Sequence, residues 1–164
     1  MRNAIPGTSR KAITWCGPYA LALVSGLSYD EVYKKMLRAK NKRQPKWRKL
    51  KHITRVSDQL MQIVAKTVKT PFYFKPAKRM TLSQYVDHLE PNTVYIIQIT
   101  GHYVVIDTRT WELSDNQSLT WVPIKDSKHK RCFVKRLAEV KNHKIEVPDR
   151  LKITKERIMA RRSM

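Results

Sequence analysis

Acidic residues are scarce in this chain. Thirteen Asp and Glu stand against 34 Lys and Arg, giving a formal net charge of +21 over 164 residues. A field of that sign disfavours basic partners and favours anionic ones: nucleic acid, an acidic protein surface or an anionic membrane. Glycine is equally sparse, with four in all, and no glycine-rich phosphate loop can be drawn through them. The two cysteines, Cys16 and Cys132, form no disulfide framework, although one bridge between them is open. No cysteine–histidine group has metal-site spacing, so neither a metal nor another cofactor is expected. No apolar run approaches the ~20 residues of a membrane span, and no N-terminal stretch resembles a signal peptide. The expectation is therefore a cytoplasmic chain whose cysteines stay reduced.

Two apolar stretches carry the chemistry. The first is Thr14-Trp15-Cys16-Gly17-Pro18-Tyr19-Ala20, running on to Gly26. It predicts a buried helix with Thr14 as N-cap, Pro18 in the first turn and Gly26 as the stop. Cys16 then sits at the positive end of the helix dipole, where a thiolate is stabilised and its nucleophilicity becomes useful at neutral pH. The second stretch is Gly101-His102-Tyr103-Val104-Val105-Ile106-Asp107, followed by Trp111 to Asn116. It predicts a strand opened by His102 and a hairpin partner closed by Asp115-Asn116. Cysteine, histidine and then a carboxylate or amide form a nucleophile, base and orienter set. Strand alternation lets only one of Asp115 and Asn116 face the histidine. The remaining histidines, His52, His88, His129 and His143, have no partner pattern and are expected at the surface. Asp107 is expected to serve a turn, and Cys132 to pack.

Around these stretches, Ser28-Tyr29-Asp30-Glu31 reads as a capping box opening a helix to about Leu37. Ser57-Asp58 caps a third helix, and Thr81-Leu82-Ser83-Gln84 opens a short fourth. Phe72-Tyr73-Phe74 reads as a short strand or a wedge into the core. Strands are expected at Thr93–Ile99, His102–Ile106, Thr110–Ser114, Leu119–Ile124 (an edge, since it holds Pro123) and Cys132–Val140. Helices first and antiparallel strands after argue for an α+β fold. One domain over residues 1–142 is expected, with a basic tail over 143–164. Between Arg38 and Lys51 lie eight Lys and Arg and no acidic residue. Lys42, Arg43, Lys46, Arg48 and Lys49, with Trp47 for stacking, are candidates for contact with nucleic acid or an acidic partner; the competing reading is a solvated loop.

Cys16-Gly17-Pro18-Tyr19-Ala20, Gly101-His102-Tyr103-Val104-Val105 and Leu113-Ser114-Asp115, in this order, resemble the papain-like cysteine peptidases, nearest to the small C39-like branch of bacteria and phages. The resemblance covers about residues 10–125. It implies N-terminal helices packed on a C-terminal antiparallel sheet, with Cys16 as nucleophile, His102 as base and Asp115 or Asn116 as orienter. It implies hydrolysis of peptide, isopeptide or other amide bonds in a protein or peptide substrate, and a place in the host cytoplasm if a phage encodes the chain. A deamidase, transglutaminase or acyltransferase would use the same residues. The family's oxyanion glutamine falls six residues before the cysteine, where this chain has Arg10, preceded by Ser9. That departure and the heavy charge favour the alternative of a degenerate scaffold serving as a basic binding protein.

Overall fold

A computed structural model describes residues 15–42, 44–53 and 55–146. Thr14, Ser9, Arg10, Arg43 and residues 147–164 lie outside the described residues.

Three helices come first: α1 (Cys16–Ser25), α2 (Tyr29–Asn41) and α3 (Asp58–Thr67). Each begins and ends for a local reason. Gly26 closes α1 with φ 76°, a left-handed conformation that glycine takes without penalty, and its N–H donates to Ala22 O. The Ser28 hydroxyl accepts from Glu31 N to open α2, and Ser57 accepts from Leu60 N to open α3. Helix α2 runs one turn past the expected Leu37, to Asn41, because Arg38, Ala39 and Lys40 are sound helix formers and its charged outer face is solvated. The short helix α4 (Leu82–Tyr85) opens on a reciprocal capping box between Thr81 and Gln84, as its sequence predicts.

The strands are β1 (Lys75–Pro76), β2 (Val94–Ile99), β3 (His102–Asp107), β4 (Glu112–Ser114), β5 (Val122–Pro123) and β6 (Val134–Glu139). They form one antiparallel sheet in the order β1-β6-β2-β3-β4-β5. The fold is thus α+β. The expected strands at 110–114, 119–124 and 132–140 are shortened to Glu112–Ser114, Val122–Pro123 and Val134–Glu139. Leu119 takes a positive φ of 57°, so pairing starts only at Val122, on the outer edge of the sheet. Phe72–Phe74 is no strand; Phe72 is buried as a wedge among the helices, and pairing starts at Lys75.

The sheet is covered on both faces, which explains why β2 and β3 are continuously apolar rather than alternating. Val94, Ile96, Tyr103 and Val105 face the core under α1, α2 and α3. Tyr95, Ile97, Ile99, Val104 and Ile106 face a second core under α4, with Leu113 and Ile124. Helix α1 is buried from Gly17 through Ser25 and packs against β3. It is apolar on every side because it has neighbours on every side. Among the described residues no helix is long and apolar enough to cross a membrane.

Candidate active site

The site forms where the start of α1 meets the start of β3. Helix α1 opens at Cys16, with Trp15 in extended conformation at the N-cap and making no side-chain cap. The Trp15 N–H instead donates to the Tyr29 hydroxyl, 3.2 Å away, tying the helix mouth to α2. Gly17 allows close approach to the segment leading into α3: a Cβ there would stand 2.8 Å from Val56 Cγ1 and 3.3 Å from Met61 Sδ. Further along α1, the Tyr19 hydroxyl lies 2.7 Å from Ser114 Oγ, fixing the helix against β4 one residue before Asp115.

His102 is placed by a hairpin. Ile99 pairs with His102, so Thr100-Gly101 is the whole connection, and Gly101 takes φ 66°. The imidazole is thereby held at the strand's first position, beside the helix mouth. His102 Nε2 donates to Asp115 Oδ2 at 2.9 Å, so of the two candidate orienters it is Asp115 that meets the histidine. Asn116 follows in the turn. The Asp115 carboxylate is almost wholly buried and well supplied with donors. Its Oδ1 accepts from Ser118 N and Ser118 Oγ, both at 2.9 Å, and from Gln117 N at 3.2 Å.

His129 corrects the expectation of a surface residue. Its Nε2 donates to the same Asp115 Oδ2 at 2.6 Å, and its ring lies 4.8 Å from that of His102. Both imidazole side chains are only 12% exposed. The Ser127 hydroxyl accepts from the His129 N–H at 3.1 Å, which fixes the turn that delivers the ring. No periodicity marks His129 in the sequence; the one local cue is Asp126-Ser127, a turn pair, two residues earlier. His143 is half-buried and its pKa is lowered, by burial first and then by the Arg109 charge. His52 and His88 are exposed. Asp107 serves a turn, accepting from Arg109 N at 2.9 Å and pairing with the Arg109 guanidinium at 2.8 Å.

The charges of the site reinforce one another. Burial alone would push the Cys16 thiol up, but the hydrogen bond from His102, the backbone N–H groups of Tyr103 and Cys16 and the His102 charge bring its pKa below the ordinary thiol value. Burial would lower His102; its bonds to Asp115 and Cys16 outweigh that and raise it to about 9. Burial would raise Asp115, yet His102, Ser118 and His129 together hold it well below the usual carboxylate range. The shifts act in one direction, favouring a thiolate beside an imidazolium backed by a carboxylate over the neutral thiol–imidazole pair.

A second chain of contacts braces the strand. The Tyr103 hydroxyl donates to Asp58 Oδ1, and Arg136 Nη1 donates to Asp58 Oδ2 at 2.8 Å. Asp58 thus ties the first turn of α3 to β3 and β6. Cys132 and Cys16 are both free thiols.

His102, Asp115 and His129 offer three metal-ligand atoms within 4.8 Å of one another. Donors sharing an ion ~2.0–2.1 Å away stand roughly 3 Å or more apart. The separations of 2.6 and 2.9 Å here are hydrogen-bond lengths, so the trio reads as an ionic hydrogen-bond cluster. Compared with protein families, curated proteins and solved structures, the chain matches none.

Proposed function

We propose that this chain is a cysteine-dependent acyl-transfer enzyme of papain-like architecture, hydrolysing a peptide, isopeptide or related amide bond. The observation that carries the reading is the run of contacts from Cys16 at a helix mouth to His102, and from His102 to the buried Asp115. A packing cysteine needs no imidazole, and a structural histidine needs no thiolate; their meeting beside a carboxylate is what nucleophilic catalysis requires.

In this mechanism the Cys16 thiolate attacks the carbonyl carbon, forming the S–C bond while the C=O pair moves to oxygen. The Cys16 N–H at the open end of α1 donates to that oxyanion. With Nε2 given to Asp115, Nδ1 is the ring nitrogen left for the sulfur side. The tetrahedral adduct collapses, the C–N bond breaks, and His102 passes its proton to the departing amine. Neutral His102 then takes a proton from water, hydroxide attacks the thioester, and the thiolate–imidazolium pair returns. Asp115 keeps the imidazole in the tautomer this needs. An amine in place of water would make the same residues an acyltransferase or transglutaminase.

Acylation by an activated ester tests the reading without knowledge of the natural substrate. Brief exposure to p-nitrophenyl acetate should place an acetyl group on Cys16, seen by peptide mass spectrometry, and the group should turn over. His102→Ala should abolish both. Acetylation of Cys16 no faster than that of Cys132 would refute the proposal.

A further inference from the structure

A cationic surface distinct from the loop that the sequence singles out is a groove between α2 and α3. Lys34, Lys35 and Arg38 reach it from α2, Lys42 from the helix's C-cap and Lys49 from the following turn, with no carboxylate in its lining among the described residues. The groove is open, about 730 Å³. Lys34, Arg38 and Lys42 recur every four residues, so they stand on one helix face roughly 6 Å apart along the axis. That step is comparable with the spacing of successive phosphates on an extended strand. The wall opposite, from α3, is uncharged: Ile63 is 52% exposed there, beside Val64 and Thr67. Cations along one side and an apolar shelf along the other suit a ligand with a charged edge and a flat hydrophobic one.

An aromatic platform lies two residues from Lys49. Trp47 is 77% exposed on a short 3-10 turn, Lys46–Arg48, with the Arg48 guanidinium 4.7 Å from its ring centre. The turn is held in place, since the Asn41 side chain both donates to Leu50 O and accepts from Leu50 N at 2.9 Å. With Arg48 over the ring and 77% of Trp47 still exposed, the anchored turn presents an aromatic surface on which a flat partner can stack. A polyanionic peptide supplies the charges but no flat partner, whereas a base supplies both stacking face and phosphate.

We propose that the α2–α3 groove binds single-stranded nucleic acid, its phosphates along Lys34, Arg38 and Lys42 and a base stacked on Trp47. This binding is independent of the Cys16 chemistry. The full chain is titrated with fluorescein-labelled oligothymidylate, by anisotropy and by Trp emission, from about 50 to 200 mM salt. Binding should weaken with a log–log salt slope of about −3 to −4, as five neutralised phosphates on a single strand imply. The triple variant K34E/R38E/K42E should lose ten-fold or more in affinity relative to K78E/K135E/K141E, which makes the same change in net charge on other exposed positions. Trp47→Ala should cost about five-fold or more, and Trp47→Phe should remove most of the emission change. Glutamine replacements at the same three groove positions should weaken binding less than the reversals, and circular dichroism identifies any variant that has not folded. Oligouridylate in place of oligothymidylate separates RNA from DNA as the preferred strand. Equal losses for the two triple variants, no binding at low salt, or equally tight binding of polyaspartate would overturn the proposal.

Discussion

His129 Nε2 stands 2.6 Å from Asp115 Oδ2, closer than the 2.9 Å at which His102 reaches the same oxygen. Two imidazoles therefore share one acceptor atom, and the carboxylate's position is set from both sides. His129 is a positioning residue in the proposed reaction, acting on the carboxylate rather than on substrate. His129→Ala should lower acylation of Cys16 about ten-fold, the loss of a hydrogen bond to a charged group worth about 1.5 kcal/mol. It should also leave Asp115 more fully to His102, so the imidazolium persists to higher pH. A shift of the alkaline limb of the rate profile above that of the parent separates this role from simple destabilisation. His129→Gln, which restores a donor, should recover part of the rate.

Asp115 and Asn116 are adjacent and chemically alike, and it is the Asp115 carboxylate that bonds His102. Its charge contributes to holding His102 at about 9. Asp115→Asn removes that charge, so the imidazolium should lose its proton nearer the ordinary histidine value of about 6.5. The acylation rate should then fall off at lower pH than in the parent, and Asp115→Ala should be slower still. Asn116→Ala should leave the position of the alkaline limb unchanged. Rate profiles of the three variants between pH 5 and pH 10 (a window spanning both values, about 6.5 and about 9) check this.

Gly17 and Gly101 serve different needs. A Cβ on Gly17 would collide with Val56 at 2.8 Å, whereas a Cβ on Gly101 would meet nothing within 4 Å among the described residues and suffers from φ 66°. Gly17→Ala must push back the segment before α3 and should cost about 1–3 kcal/mol, with slower alkylation of Cys16. Gly101→Ala should cost on the order of 1 kcal/mol through backbone strain alone. Urea unfolding of the two variants gives the comparison.

Much of this arrangement is legible in the chain because its signals are local. The capping hydroxyls Ser28, Ser57 and Thr81, the helix stop at Gly26 and the β-branched run from Val94 each depend on a few neighbours, and each stands where its spacing puts it. The two-residue turn from β2 sets His102 at the start of β3, and the pairing of β4 with β3 carries the chain on to Asp115 just past Ser114. His129 is different. It arrives on the irregular segment after β5, and its partner is set by how that segment folds back over the sheet, which no period records. The Tyr19–Ser114 and Tyr103–Asp58 contacts join residues 95 and 45 positions apart, and in the sequence each side chain looks like ordinary core or cap. The basic face of α2 is hidden for another reason. Lys34 and Lys35 lie outside the densest charge run, and only the helix brings Lys34 into line with Arg38 and Lys42.

The central claim is that the Cys16 thiol ionises early because His102 faces it. The most direct measurement is the pH dependence of Cys16 alkylation by iodoacetamide, read by peptide mass spectrometry with Cys132 as internal reference. In the parent, Cys16 should react well below pH 8 while Cys132 does not, and His102→Ala should move the Cys16 profile up toward an ordinary thiol at about 8.5. A parent profile already centred there, or one that His102→Ala leaves in place, would contradict the account.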